Sequence, residues 1–361
     1  MKRKPDFKNG IFHGKPIYVL AVILLTVLLV ISILTAVTIG SVDLSVKDVY
    51  SVILYKVFGI GDPEVYGVGA MSDIVWFIRL PRIFLATAVG MGLAVAGVVM
   101  QAIVKNPIAD PYILGISSGA SLGATVAIFL GVGAVFGSNS IGICAFIGAF
   151  LISVLVQITA NIGGRANSVR LLLAGTALGS VCSAFSNFVV YIAGDRDGIQ
   201  TVTFWLMGSL AGAKWENLAV IIPCVFLATL FFCTQSRILN MMLLGDEVSI
   251  TLGTDLHRYR QVYLVVTALL IGFVVYSAGI IGFVGLIIPH VVRMFFGTDH
   301  KKMLPLSALS GSIFLIWADV ASRIIIPKSE VPIGILVSMI GAPCFIYLLV
   351  RRSYGFGGEK S

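Results

Sequence analysis

Two short stretches concentrate polar residues whose types and spacing could do work. One is Lys105-Asn106-Pro107-Ile108-Ala109-Asp110-Pro111, a proline-locked corner between two apolar runs. The other is Gly245-Asp246-Glu247 in the segment 237–260, where Met241, Met242, Leu243 and Leu244 precede the acidic pair. The chemistry they offer is hinging and docking, not catalysis. The chain has no GxxxxGK[ST] with which to cradle nucleotide phosphates and no HExxH, and His13, His257, His290 and His300 are scattered. No Ser/His or Asp/Asp pairing suited to hydrolysis stands inside the apolar runs. Cys144, Cys182, Cys224, Cys233 and Cys344 all lie in such runs without CxxC spacing, which fits packing residues and not disulfides or metal ligands. The chain is therefore expected not to be an enzyme, and to need neither cofactor nor metal.

The elements that position these stretches are membrane spans. Hydrophobic residues make up 58% of the chain, charged residues only 12%, and the mean hydropathy is +1.01. So few charges cannot cover a water-soluble fold of this size, so lipid must be the solvent for most of the surface. Charge-free runs at 16–42, 83–104, 111–164, 171–194, 217–236, 261–292, 303–318 and 331–350 set the span count. The run 111–164 holds two spans with a turn near 131–140. The run 261–292, broken by Gly279, Gly282, Gly285 and Pro289, reads as a full span followed by a short or discontinuous one. About ten transmembrane helices result, an all-α polytopic membrane protein.

Placing both termini inside puts the excess of Lys and Arg on the cytoplasmic side and leaves the outer loops net acidic, as the positive-inside rule requires. The uncharged run 16–42, preceded by a basic start, reads as an uncleaved first span inserted with its N-terminus inside. The expected organisation is a cytoplasmic tail 1–15, a ten-span domain 16–352 and a cytoplasmic tail 353–361. The outer segment 43–78 reads as a short amphipathic element plus a turn. The inner segment 237–260 is divided by Gly245 and Gly253 into short helical pieces. Its apolar groups and acids together suggest a docking surface for another protein, the alternative being an interfacial helix resting on lipid.

Small residues recur where helices must approach or enclose something. Gly115, Gly119 and Gly123 fall at every fourth position. On the span that begins at Arg170, Gly175, Gly179, Ser183 and Asn187 form one stripe, broadened by Thr176 and Ser180. Close helix packing and lining of a translocation path both account for that stripe. Asn187 favours a wet surface, because an unpaired amide in lipid costs several kcal/mol, of order 2–7. The spans carry almost no ionisable residue at mid-depth; Asp319 and Arg323 come nearest, towards the outer end of theirs. A proton- or sodium-coupled carrier usually needs such groups, so energy from outside the membrane is favoured over ion coupling.

The ordered motifs RLPR…GxxLAxAGxxMQ…NPIADPYILGISSGASLGA (79–124), RLLLAGTALGSVCSA (170–184), LLGDEVSITLG (243–253), GIIGFVGLIIPHVVRMFFGTDHKKMLPLSALSG (279–311), ADVASRI (318–324) and EVPIGILVSMIGAPCFIYLL (330–349) resemble those of the FecCD-type permeases. These are the membrane subunits of ABC importers for iron-siderophores, haem and vitamin B12. The resemblance runs from about residue 17 to 352. It implies an ABC type II importer permease fold like that of the vitamin B12 permease, with ten spans and an inverted internal repeat. It also implies a second permease subunit, identical or paralogous, two ATPase subunits inside and an extracytoplasmic substrate-binding protein.

The resemblance further implies residue roles. Gly245, Asp246, Glu247, Leu252 and Gly253 correspond to the loop that couples to the ATPase. Arg79 and Arg323 correspond to the docking arginines for the binding protein, although snorkelling at the membrane interface also explains them. Asn106 and Ile108, with Ser168 and Val169 at the matching corner, correspond to a cytoplasmic gate, although capping and turn chemistry also explain Asn106 and Ser168. The implied function is import across a bacterial or archaeal cytoplasmic membrane, driven by ATP hydrolysed in a partner. Ferric siderophore is the first cargo expected, haem or cobalamin the alternative, and an ion-coupled secondary transporter the rival of another class. Nucleic acid has no place in this reading.

Overall fold

The computed structural model describes residue 12, residues 14–327 and residues 329–351. The expected tails therefore lie almost wholly outside the described residues. The chain is helical throughout: α1 Lys15–Thr38, α2 Val46–Phe58, α3 Pro63–Tyr66, α4 Ala70–Asp73, α5 Leu80–Val104, α6 Ile116–Leu130, α7 Ser140–Asn161, α8 Ser168–Ala193, α9 Arg196–Leu206, α10 Trp215–Thr234, α11 Ser236–Leu244, α12 Asp246–Thr251, α13 Leu256–Ala278, α14 Val284–Phe296, α15 His300–Ile324 and α16 Ile333–Arg351. Among the described residues, 7 helices are long and apolar enough to cross a membrane. Three shorter apolar helices, α6, α14 and the segment Ile333–Tyr347 of α16, complete the expected set.

Helix is the form this composition must take, because a chain in hydrocarbon has no water to satisfy its backbone N–H and C=O groups. Side-chain caps fix where several helices begin. Asn167, Asp195, Asp255 and Asp299 each accept a backbone N–H from the first turn of α8, α9, α13 and α15. The run 261–292 divides as expected, α13 ending at Ala278 and α14 restarting at Val284 behind Phe283, whose φ of 67° breaks the helix. The segment 43–78 is richer than one amphipathic element: α2 is followed by the short α3 and α4 and by a π-helical turn, Ile74–Arg79, that leads into α5.

The core is built around α5, nearly all of which is buried against α10, α13, α14 and α15. The glycine ladder works as packing. Gly119 and Gly123 of α6 lie against the backbone of α7 at Gly148 and Cys144, so the two helices meet main chain to main chain. Gly115 instead ends the 3-10 turn Pro111–Leu114 in a left-handed conformation and opens α6. The first helix, α1, stays at the rim on α15 and is the least buried of the long helices.

Candidate functional site

The site residues fall on the two faces of the helix bundle. On the face shared with the start of α1 lie the corner 105–115, the corner 162–167 and the helices α11 and α12. Lys105 leaves α5 in a left-handed conformation, and Asn106 then builds the turn, its Oδ1 accepting the Ile108 N–H at 3.1 Å. Asp110 accepts the Tyr112 N–H at 2.8 Å and caps the 3-10 turn. The Phe283 backbone amide also favours the Asp110 carboxylate, yet burial dominates and holds this carboxyl above the usual range. The corner is thereby tied to the break before α14. Ser168 reaches the other way, its Oγ donating to the Ile103 carbonyl at 3.4 Å, so the two corners predicted as a gate touch. Ile108 is half-buried and Val169 is exposed.

The segment 237–260 forms the two helices its glycines suggested. Ser249 pins them together, donating to Gly245 O at 2.7 Å and Met241 O at 3.2 Å. Leu244, Val248, Ile250 and Leu252 are exposed, and so is Glu247, which leaves an apolar, acidic face uncovered. Asp246 does something sequence reasoning missed. Its Oδ1 accepts Arg260 Nη2 at 2.6 Å and lies 3.7 Å from Lys105 Nζ. Arg260, only 4% exposed, also donates through Nη1 to the Ala166 carbonyl at 3.0 Å. One carboxylate thus joins α12 to both corners, to 105–110 through Lys105 and to 162–167 through Arg260. A charge-assisted bond of this kind is short, directional and stronger than a neutral one. Nearby, Asp255 bonds the His257 N–H and faces Arg165, which holds its carboxyl below the ordinary value.

The stripe on α8 divides. Gly175 and Gly179 are buried against Ile113–Gly115 and serve packing there. Ser183 and Asn187 are exposed, as are Thr176 and Ser180. These four fall on one helical face, and the Ser183 hydroxyl lies 3.5 Å from that of Ser118.

On the opposite face, Arg79 and Arg323 both turn inward. Arg79, 3% exposed, donates to the carbonyls of Val37 at 3.0 Å and Thr38 at 3.1 Å, and to Val42 O. Arg323 donates to Ile39 O at 2.9 Å and pairs with Asp319 Oδ2 at 3.2 Å. The two guanidiniums satisfy the orphan carbonyls at the C-terminus of α1, where positive charge is also favoured by the helix dipole. In this conformation neither presents a free fork to a partner. Beneath them Arg82 bonds Asp319 at 2.7 Å and Glu330 at 2.8 Å. RLPR and the i,i+4 spacing of Asp319 and Arg323 were visible in the sequence; the pairing of Arg82 across more than two hundred residues was not.

The chain is similar to known proteins over most of its length. The profile of the FecCD transport family matches residues 28–351. The chain is 40% identical over 279 residues to the vitamin B12 import system permease protein BtuC of Salmonella typhimurium, covering 77% of this chain and 84% of that protein. It is 37% identical over 332 residues to the uncharacterized ABC transporter permease protein YvrB of Bacillus subtilis, with 91% and 92% covered. A solved inward-facing metal-chelate type ABC transporter superposes with a TM-score of 0.79 at 32% identity, over 92% of this chain and 99% of that one. PsaBC from Streptococcus pneumoniae shares the fold alone, with a TM-score of 0.52 at 17% identity over 78% and 98% of the two chains. The matched family profile, together with the ten-helix architecture, establishes that this chain belongs to the FecCD transport family, as a non-catalytic permease subunit of an ABC importer in the cytoplasmic membrane.

Proposed function

We propose that the chain is the membrane half of an importer for a metal chelate, cobalamin before ferric siderophore, moved by ATP hydrolysed in a partner. The order of cargo departs from the sequence expectation, because several similar proteins are named for vitamin B12 import and none of those reported above is named for a siderophore. Both termini lie in the cytoplasm in this reading, so the face with α11 and α12 meets the ATPase. The exposed apolar and acidic surface of Leu244, Glu247, Val248, Ile250 and Leu252 fits a partner cleft, with Gly245 and Gly253 at its ends. The opposite face receives the binding protein, and Arg79 and Arg323 shape that corner by fixing the end of α1. A second permease subunit closes the path along α8, where Thr176, Ser180, Ser183 and Asn187 present small polar groups that hold cargo weakly.

The observation that carries this reading is the Asp246 hub. A displacement of α12 pulls on Lys105 and Arg260 together, and so on the corners that hold Asn106, Ile108, Ser168 and Val169. Asp246→Ala strands the buried Arg260 with one carbonyl partner and loses a charged hydrogen bond of about 1.5–3 kcal/mol. In proteoliposomes holding the permease–ATPase complex, uptake should fall by about tenfold or more while ATP hydrolysis no longer responds to the loaded binding protein. The exchanged pair D246R/R260D should recover part of the coupling. Unchanged uptake and stimulation in Asp246→Ala would remove the hub from the mechanism.

A further inference from the structure

Beside α11, on the face shared with the start of α1, lies an open groove of about 550 Å³. Arg237, Asn240, Met241 and Leu244 line one side, and Asp299 and Lys301 the other. The two cations are exposed, and neither forms an ion pair among the described residues. The floor between them is hydrogen-bonded. Asn240 Nδ2 donates to Asp299 Oδ1 at 2.9 Å, while its Oδ1 accepts the His300 N–H at 2.9 Å. Asp299, the one carboxylate in the lining, is also held by the Lys301 N–H at 3.1 Å. Two unpaired cations against one engaged anion leave the groove net positive.

Its depth is fixed by helix ends. The span α10 stops at Thr234, α11 starts at Ser236 and α15 starts at His300, so the groove sits where hydrocarbon gives way to water. The lipid-facing α1 stands next to it, Tyr18 donating to the Lys301 carbonyl at 3.5 Å. A tyrosine at this level is an interfacial anchor. Met241 and Leu244 add apolar side chains to the same lining, so the groove offers both charge and apolar surface, as a phospholipid does.

We propose that this groove binds the headgroup phosphate of an anionic phospholipid from the adjacent leaflet. The charge complementarity selects the ligand: Lys and Arg attract an anionic leaflet, and a zwitterionic headgroup returns a positive charge to the same place. Leu244 stands at the border between the groove and the ATPase-facing surface, whose other residues, Glu247, Val248, Ile250 and Leu252, do not line the groove.

The test uses the full-length permease in nanodiscs of phosphatidylcholine with a minor share of phosphatidylglycerol. Native mass spectrometry then counts the lipids retained on release. Wild type should keep one phosphatidylglycerol per chain in preference to phosphatidylcholine. R237Q/K301Q should weaken that retention by about thirtyfold, whereas R237K/K301R should keep it. Equal retention by wild type and R237Q/K301Q, or no preference for the anionic lipid in wild type, overturns the proposal. So does a double variant that keeps its lipid but no longer assembles with the ATPase, since the groove would then belong to that partner. R237Q/K301Q and R237K/K301R unfolding at one temperature in pure phosphatidylcholine confirms that the difference between them is charge.

Discussion

Asp319→Ala should cost the permease about 3–5 kcal/mol, lowering its unfolding temperature in detergent and its yield in membranes. Asp319 is 1% exposed and is the inner carboxylate of a cluster in which Arg82 and Arg323 are both buried. Removing it leaves two guanidiniums out of water with Glu330 as the remaining acid, on Arg82 alone. An uncompensated buried charge is the expensive outcome, more so than the loss of any single bond. Arg323 would lose its side-chain anchor and, with it, its hold on the Ile39 carbonyl at the end of α1. The comparison that isolates the mechanism is Glu330→Gln. Its carboxylate side chain is 43% exposed, so water screens the bond to Arg82 and the change should stay within about 1 kcal/mol. Equal losses in the two variants, read from thermal unfolding of the purified chain, would show that the cluster is not organised around Asp319.

Gly97→Ala should be the most damaging single methyl group in the bundle. A Cβ at Gly97 would lie 1.8 Å from the Gly285 carbonyl oxygen, closer than any real contact, and the obstacle is backbone. Overpacking of a close contact costs about 1–3 kcal/mol when side chains give way, and here α5 and α14 must separate. The separation spreads. Gly285 also abuts Pro111 and the Leu93 carbonyl, so moving α14 disturbs the corner that carries Asp110 and Asn106. Both a lower unfolding temperature and a loss of uptake of about tenfold are expected, of the same order as that overpacking cost. Gly212→Ala, with nothing within 4 Å of the added carbon, should change neither. Wild-type uptake and stability in Gly97→Ala would mean that α5 and α14 do not pack as described.

How much of this was legible beforehand follows from what local pattern can encode. Span count, the break near Gly282 and the two helical pieces around Gly245 are statements about neighbours along the chain, and hydropathy with Gly and Pro carries them. The motifs likewise carried the family. The inward turn of Arg79 and Arg323 was not legible, because an arginine at a span end reads the same whether it faces a partner or caps a neighbouring helix. Nor was the double role of the α8 stripe: the glycines face Gly115, while Thr176, Ser180, Ser183 and Asn187 look away, a division set by the rotation of one helix against another. Lys105, Asp246 and Arg260 are each unremarkable polar residues until three-dimensional structure brings them together.

The most direct test of the central claim is uptake by proteoliposomes that contain this permease with its ATPase and receive the loaded binding protein outside. Labelled cobalamin and a labelled ferric siderophore would be offered in turn. Accumulation that requires ATP in the ATPase compartment and the binding protein outside, and that ignores imposed proton or sodium gradients, is the predicted result. Accumulation driven by such a gradient without ATP or partners would contradict it.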